Sequence, residues 1–293
     1  MRVGFVTQLL WDRYGPFWTR LAAAAGSECV LPERSAVIEA LNGDERVIGV
    51  ADSSFRLAAA QAVTLADCDL IVVPELNAPS DVERGSALDR WAADFPGALA
   101  DAVPGLPELR AVPTDVDEHV EGHAALLLSR LVREPAAVER VWSKHKALVA
   151  SGRWRDSVSP SSAGSGGGKV SALVAKPWAV TDAVIAALQR VIGEPVHIVD
   201  ARRLKPERLR EVGGRLEPRL LPTDAEVIGA ARVLSGRNDV ARLIHLVDDA
   251  SVSDAWLARR VKEHSLKSVE EVAFGSLLSG DLTMDDLIEL PVE

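Results

Sequence analysis

Short runs of β-branched and apolar residues alternate along this chain with longer stretches whose apolar positions recur at helical spacing. Residues 3–6, 29–31, 47–50 and 70–73 are the strand-like runs of the first half, and their rhythm predicts βαβ units and a parallel sheet. The run DLIVVPEL is the clearest of them. It is nearly all apolar, as a strand covered on both faces must be, and Pro74 falls at its end, where a missing N–H does little harm. A polar-and-apolar stretch over 117–149 has helical spacing and is expected to close the first domain.

Residues 151–168, SGRWRDSVSPSSAGSGGG, hold almost nothing that can be buried, and their Ser and Gly content makes ordering them entropically costly. They predict a linker. Beyond it the rhythm restarts: 170–175 reads as a strand, 181–191 as a helix, 196–199 as a strand, 225–234 as a helix and 243–247 as a buried strand. The final LTMDDLIELPVE reads as a short helix and a tail. The expected architecture is α/β, with two Rossmann- or flavodoxin-like domains, 1–150 and 169–293, each a parallel sheet flanked by helices. A chain of 293 residues that is 47% apolar can fill two such cores.

A formal charge of -10 repels a phosphate backbone, and no Lys/Arg stripe interleaved with aromatics offsets it, which excludes nucleic acid as the expected partner. The chain opens on the strand-like RVGFV, and its uncharged apolar stretches fall short of the roughly 18 residues a membrane span needs. A cytoplasmic protein without a membrane segment is the expectation. Cys29 and Cys68 make no disulfide framework and read as packing residues.

Motifs with chemistry are few. AGSGGGKV fails as a phosphate loop: Ala163 stands where the first glycine belongs, Val170 follows the lysine, and the run precedes a strand. His119 and His123 lie four apart near Asp115, Asp117, Glu118 and Glu121, a spacing that puts both imidazoles on one helical face, but no third ligand is marked and a solvated acidic helix start explains them. His245, inside RLIHLV, reads as a buried sheet histidine. No G-x-S-x-G elbow surrounds Ser53, Ser54, Ser251 or Ser253. Trp11, Trp18 and Trp178 follow first strands, where they either fill cores or line a planar-ligand pocket. Lys176 beside Pro177 is placed either to meet a phosphate or to face solvent.

Several segments resemble the 2-hydroxyacyl-CoA dehydratase component family and its activase-related relatives. Tyr14, Pro16, Phe17 and Trp18 match a Tyr-x-Pro-Phe-Trp cluster that opens a helix after the first strand, with Pro16 suited to a first helical turn. VLPERS ends at Ser35 where the family has a Ser-Pro-like turn, and AKPWAVTDAVI resembles the opening of its second domain. In DSSFRLAAAQ, Ser54 stands where the family has a cysteine, Arg56 where it has proline and Ala58 where it has lysine. Phe95 before Pro96 matches a second cysteine, and Ser251 in DDASVSDA a third, with Asp254 and Ala255 kept.

The resemblance implies the two-domain fold, a ligand-sized cleft between the domains, and a four-iron four-sulfur cluster that dehydrates 2-hydroxyacyl-CoA by radical chemistry. The thiolates that such a cluster prefers are missing here, so no metal and no cofactor are expected. It further implies cleft residues at the carboxyl ends of the strands: Gln8, Tyr14, Trp18, Ser53, Ser54, Asn77, Lys176, Trp178, Ser251 and Asp254. The expected role is that of an accessory or acyl-CoA-binding subunit, beside a cluster-bearing partner or as a homodimer. The alternatives are a structural or regulatory interaction protein whose cleft is filled by side chains such as Phe95, and a repurposed metal-free enzyme.

Overall fold

A computed structural model describes residues 1–77, 89–117, 119–151, 170–192, 198–280 and 282–291. Two four-stranded parallel sheets carry the chain. The first has the order β2-β1-β3-β4, with β1 (Arg2–Phe5), β2 (Glu28–Val30), β3 (Leu70–Glu75) and β4 (Glu108–Pro113). The second has the order β6-β5-β7-β8, with β5 (Val170–Val174), β6 (Ile198–Val199), β7 (Val240–Val247) and β8 (Val269–Ala273). Helices α1 (Trp11–Ala24), α2 (Arg34–Gly43), α3 (Glu45–Ile48), α4 (Ser53–Thr64), α5 (Arg90–Ala93), α6 (Phe95–Ala102), α7 (Val120–Leu131) and α8 (Pro135–Ser151) accompany the first sheet. The second has α9 (Asp182–Ile192), α10 (Pro206–Leu216), α11 (Pro222–Ser235), α12 (Val252–His264) and α13 (Phe274–Leu278). This is the predicted pair of Rossmann-like α/β units. No helix among the described residues is long and apolar enough to cross a membrane.

Period-two alternation assigns the core. Val3, Phe5, Leu70 and Val72 face α1 and α7, whereas Ile71 and Val73 face the opposite side. That opposite side runs on without a break into Leu173, Ile244 and Leu246 of the second sheet, so one apolar cluster spans the seam between the two units. Pro74 has the parity of Val72, whose carbonyl accepts from Val6 on the β1 side. The last β1 rung is Phe5 opposite Val72, so the missing N–H of Pro74 leaves no bond unmade.

Several sequence expectations are corrected. Residues 47–50 are not a strand: Asp44 accepts from the Arg46 amide and starts α3 instead. The stretch 117–149 is two helices, broken before Pro135. Pro16 lies inside α1 rather than in its first turn, because the helix already begins after two left-handed residues, Leu9 (φ 67°) and Leu10 (φ 73°). A Cβ at Gly15 would come within 2.2 Å of the Trp11 ring, so glycine is what lets that indole fold over α1. Strands β4 and β8 were not anticipated, because ELRAVP and VEEVA are edge strands with half-polar composition. Apart from Ser151, which ends α8, the expected linker lies outside the described residues, as does the start of the 196–199 strand.

The tail is no loose end. After a 3-10 turn at Met284–Leu287, its backbone docks on the loop that follows β1. Gln8 donates from Nε2 to the Leu287 carbonyl (3.1 Å) and accepts at Oε1 from the Glu289 amide (3.1 Å). Gln61, fully buried on α4, accepts from the Thr7 and Gln8 amides (2.7 and 2.9 Å) and donates to the Glu289 carbonyl (3.1 Å).

Two outcomes follow. Gln61→Met leaves the Thr7 and Gln8 amides without their acceptor, at a cost on the order of 3 kcal/mol, and should speed amide hydrogen exchange at Glu289. Gly229→Ala on α11 would set a Cβ 2.0 Å from the Leu209 carbonyl of α10. The helices must then separate, and the urea unfolding midpoint should fall in line with a loss of about 3 kcal/mol.

Candidate functional site

In each sheet the chain reverses its direction of travel at the central pair, β1/β3 in the first and β5/β7 in the second, and crevices open there at the carboxyl ends of strands. The first crevice is the one that the tail covers. The second leads into an interdomain cavity lined by Lys176, Trp178 and Ala179 after β5, and by Leu246 and Asp248 at the end of β7. Ser251 and Asp254 from the start of α12, with Phe274, complete that side, and the first domain contributes Asp52, Ser54, Asp89 and Trp91. The space in it open to the centre of a water-sized sphere is ≈ 20 Å³.

Aromatic side chains form one wall. Trp91 stacks on Phe55 (centroids 5.3 Å apart, planes within 10°), meets Phe95 edge-on at 6.3 Å and meets Trp178 at 5.4 Å. Phe95 therefore stands one ring behind the cavity rather than inside it.

Carboxylates form the other wall. Asp89 reaches from the first domain to the N-terminus of α12, where it accepts from Ser251 Oγ (2.6 Å), Ser253 Oγ and the Val252 amide (3.1 Å). Ser251 is also the N-cap of α12, accepting from the Asp254 amide at 3.0 Å. Asp52 caps α4 through the Phe55 amide (2.9 Å) and accepts from Trp91 Nε1 (3.2 Å). Burial, with the charges of Asp248, Asp89 and Asp254 nearby, lifts its carboxyl to about 7 against the pull of the Phe55 amide. Asp254 is 4% exposed; one oxygen accepts from the Asp248 amide (2.9 Å) and the other, Oδ1, is buried without a hydrogen-bond partner. Burial raises it to about 6 although Lys176 pulls the other way. Burial raises Asp248 as well.

One cation stands among these groups. Lys176, 5% exposed, pairs with Asp224, which is wholly buried, and its ammonium lies 5.5 Å from the centroid of the Trp178 ring. Burial pulls the Lys176 pKa down, yet Asp224 and Asp254 outweigh it and the group ends above its ordinary value. Lys176 is therefore an ammonium at neutral pH and no amine nucleophile. Asp52 and Asp254, in contrast, can give up and take back protons near neutrality.

Of the expected cleft residues, Ser54, Lys176, Trp178, Ser251 and Asp254 line this cavity. Ser53 lies beside it, its backbone amide facing Asp248. Tyr14 and Trp18 do not reach it: both are fully buried on the inward face of α1, with Tyr14 Oη donating to the Val6 carbonyl (2.6 Å) and Trp18 Nε1 to that of Pro113 (3.2 Å). Gln8 is spent on the tail. Asn77 ties the domains together, donating to the Ala92 carbonyl (2.6 Å) and accepting from Thr223 Oγ1 (3.1 Å). Asp52, Asp89, Trp91 and Asp248 were missed. The position of Asp52 just before SSF and of Asp248 just after a strand are the signals that could have marked them; Asp89 has none.

A second cavity, ≈ 260 Å³, opens at the ends of β3 and β4 and includes His119, His123, Asp115, Asp117 and Arg210. Two of its acids are already engaged: Asp115 pairs with Arg210 at 2.6 Å and Asp117 accepts from the His119 amide at 2.8 Å. Glu118 lies outside the described residues. Among those residues the trio whose ligand atoms gather within 4.8 Å is Glu217, Glu263 and His264, and Arg260 pairs with both glutamates. His245 is buried in β7 with Nδ1 unpartnered, and burial lowers its pKa to about 4, so it stays neutral.

The residues do not fit an iron-sulfur cluster. Ser54 and Ser251 offer hard oxygens and Phe95 offers no ligand atom. Burial raises the thiols of Cys29 and Cys68, neither of which lines the cavity, away from the thiolate form. Compared with protein-family models, with curated proteins and with solved structures, the chain matches none.

Ionising Asp254 is harder in the folded chain (about 6) than in the unfolded one (3.8), so the folded state binds the proton more tightly. Its contribution to stability is present below about pH 4 and is lost as pH rises to about 6, on the order of 2–3 kcal/mol. Asp254→Asn keeps the acceptor for the Asp248 amide and cannot ionise. Denaturation from pH 4 to 7 should show a shallower fall for this variant than for the parent.

Proposed function

We propose that this chain is a cluster-less relative of the 2-hydroxyacyl-CoA dehydratase components, whose interdomain cleft now binds a small molecule, in an accessory subunit acting beside a cluster-bearing partner. One observation carries the reading. Ser54 and Ser251, two of the three positions that align with the family's cysteines, come from different domains and line one cavity, and Phe95, the third, stands one ring behind it. The cavity sits at the switch point of the second sheet, where parallel α/β units bind ligands.

Among the expected ligands, an intact acyl-CoA matches the cleft least well. Asp52, Asp89, Asp248 and Asp254 set a negative potential along the cleft that repels phosphate. The carboxylic acids with raised pKa values make proton transfer to a bound molecule feasible, which is what the metal-free enzyme alternative requires. The purely structural alternative draws on the tight aromatic wall.

Purification without oxygen, followed by iron and acid-labile sulfide analysis and a thermal-shift screen of small polar molecules, tests the reading. The expected result is no stoichiometric iron and at least one compound that raises the melting temperature, because a ligand selective for the folded state must stabilise it. Stoichiometric iron and sulfide, or a screen without a single stabilising compound, would overturn it.

A further inference from the structure

The cleft has a charge imbalance that points to its ligand. Among the described residues Lys176 is the one base in the lining, against four acids, and its charge is already matched by Asp224 from beneath. Asp89 is matched by the N-terminus of α12 and two serine hydroxyls. That leaves Asp52, Asp248 and Asp254 with no ion pair of their own among the described residues, and the buried Oδ1 of Asp254 lacks even a hydrogen-bond donor. A buried polar atom left in that state is costly unless a ligand donor completes it.

The chain itself shows which kind of donor suits these walls. Its Lys176 ammonium rests between carboxylates and the face of Trp178, a pairing that favours organic cations. Trp91, 5.4 Å from Trp178, extends the aromatic surface toward the first domain. The ≈ 20 Å³ open to the centre of a water-sized sphere sets the size of the group. A single water needs on the order of 10–15 Å³ of such space, so a primary ammonium fits and a trimethylated one does not. The carboxylates do not gather closely enough to clasp a bare metal ion, since the cleft contributes no ligand trio among the described residues.

Resting on the cleft reading above, we infer that the interdomain cavity is a receptor for the primary ammonium head of a small organic amine, held by Asp254 and Asp52 against Trp91 and Trp178, with the rest of the amine leading out through the mouth.

Calorimetric titration of the full chain at pH 8 and constant ionic strength tests this, with four probes: n-butylammonium chloride, tetramethylammonium chloride, n-butanol and butyryl-CoA. Saturable butylammonium binding, at least about tenfold tighter than that of the other three, is the expected result, since tenfold is what one charge-assisted hydrogen bond supplies. Asp254→Asn should weaken it about tenfold or more, whereas Asp117→Asn in the other cavity should leave it unchanged. Should Asp254→Asn fail to fold, Asp248→Asn, which removes charge from the same wall, takes its place with a severalfold loss expected. Tighter binding of butanol, tetramethylammonium or butyryl-CoA, or butylammonium binding indifferent to these substitutions, would overturn the inference while leaving a ligand-binding cleft in place. No binding of any probe overturns the amine assignment, and the cleft reading then stands or falls by the wider stabilisation screen.

Discussion

Charge buried between two domains persists only where a partner is supplied, and this constraint shapes the whole seam. Glu226 on α11, 3% exposed, receives Arg13 from α1 of the first domain (2.9 and 3.1 Å) and Arg210 from α10 (3.0 Å), and Arg210 in turn holds Asp115 across the boundary at 2.6 Å. Here acids and bases alternate and the seam is closed. On the cleft side of α11 the alternation fails: among the described residues only Lys176 stands against Asp224, Asp52, Asp248 and Asp254. The difference between a sealed boundary and an open site is thus a difference in how many cations those residues provide. A continuous apolar cluster beneath both regions holds the domains together, so the unmatched acids are tolerated without the units parting.

The two sheets reuse one plan and treat its crevice in opposite ways. In the first, the loop after β1 is wound through left-handed Leu9 and Leu10, a strained geometry held by Gln61 and by burial of both leucines. The tail then lays its own peptide groups across the crevice. In the second, the loop after β5 runs through Lys176 and a 3-10 turn at Pro177–Ala179, and the first domain covers it with side chains, Asp89 and Trp91 among them. A ligand entering the first crevice would have to break four hydrogen bonds between the tail and Thr7, Gln8 and Gln61. The second crevice leads instead into the cavity that Trp91 and Trp178 help to wall.

The strands with two covered faces were legible because burial on both sides forces unbroken apolar runs, as in LIVVPE and VARLIHLV. The edge strands β4 and β8 were not, since one free edge admits Glu and Arg and blurs the period. Half of the site was legible for a related reason: residues at the end of a recognisable strand, such as Lys176, are placed by the fold rule itself. Tyr14 and Trp18 were misplaced because a residue that follows a strand and opens a helix can point either way, and α1 turned both into the core. Asp89 and Trp91 reach the cavity from a segment with no periodicity to read. Their role depends on the docking of one domain against the other, which no local pattern encodes.

Helix ends set the charge pattern around the cleft. Ser251 is the N-cap of α12, Ser54 lies in the first turn of α4, and Phe95 begins α6, so all three stand at helix N-termini. Such ends favour negative charge. Each is satisfied by a carboxylate: Asp89 at α12, Asp52 at α4 and Asp94, which accepts from the Gly97 amide, at α6. Serine at an N-cap is worth roughly 1 kcal/mol over an unsuitable residue, so Ser251 stabilises its helix by the same lone pair that disqualifies it as a soft ligand. The helix ends are thus matched by anions that are part of the protein itself, and the cleft between them carries four acids against one base among the described residues. The species that such a site attracts is positive.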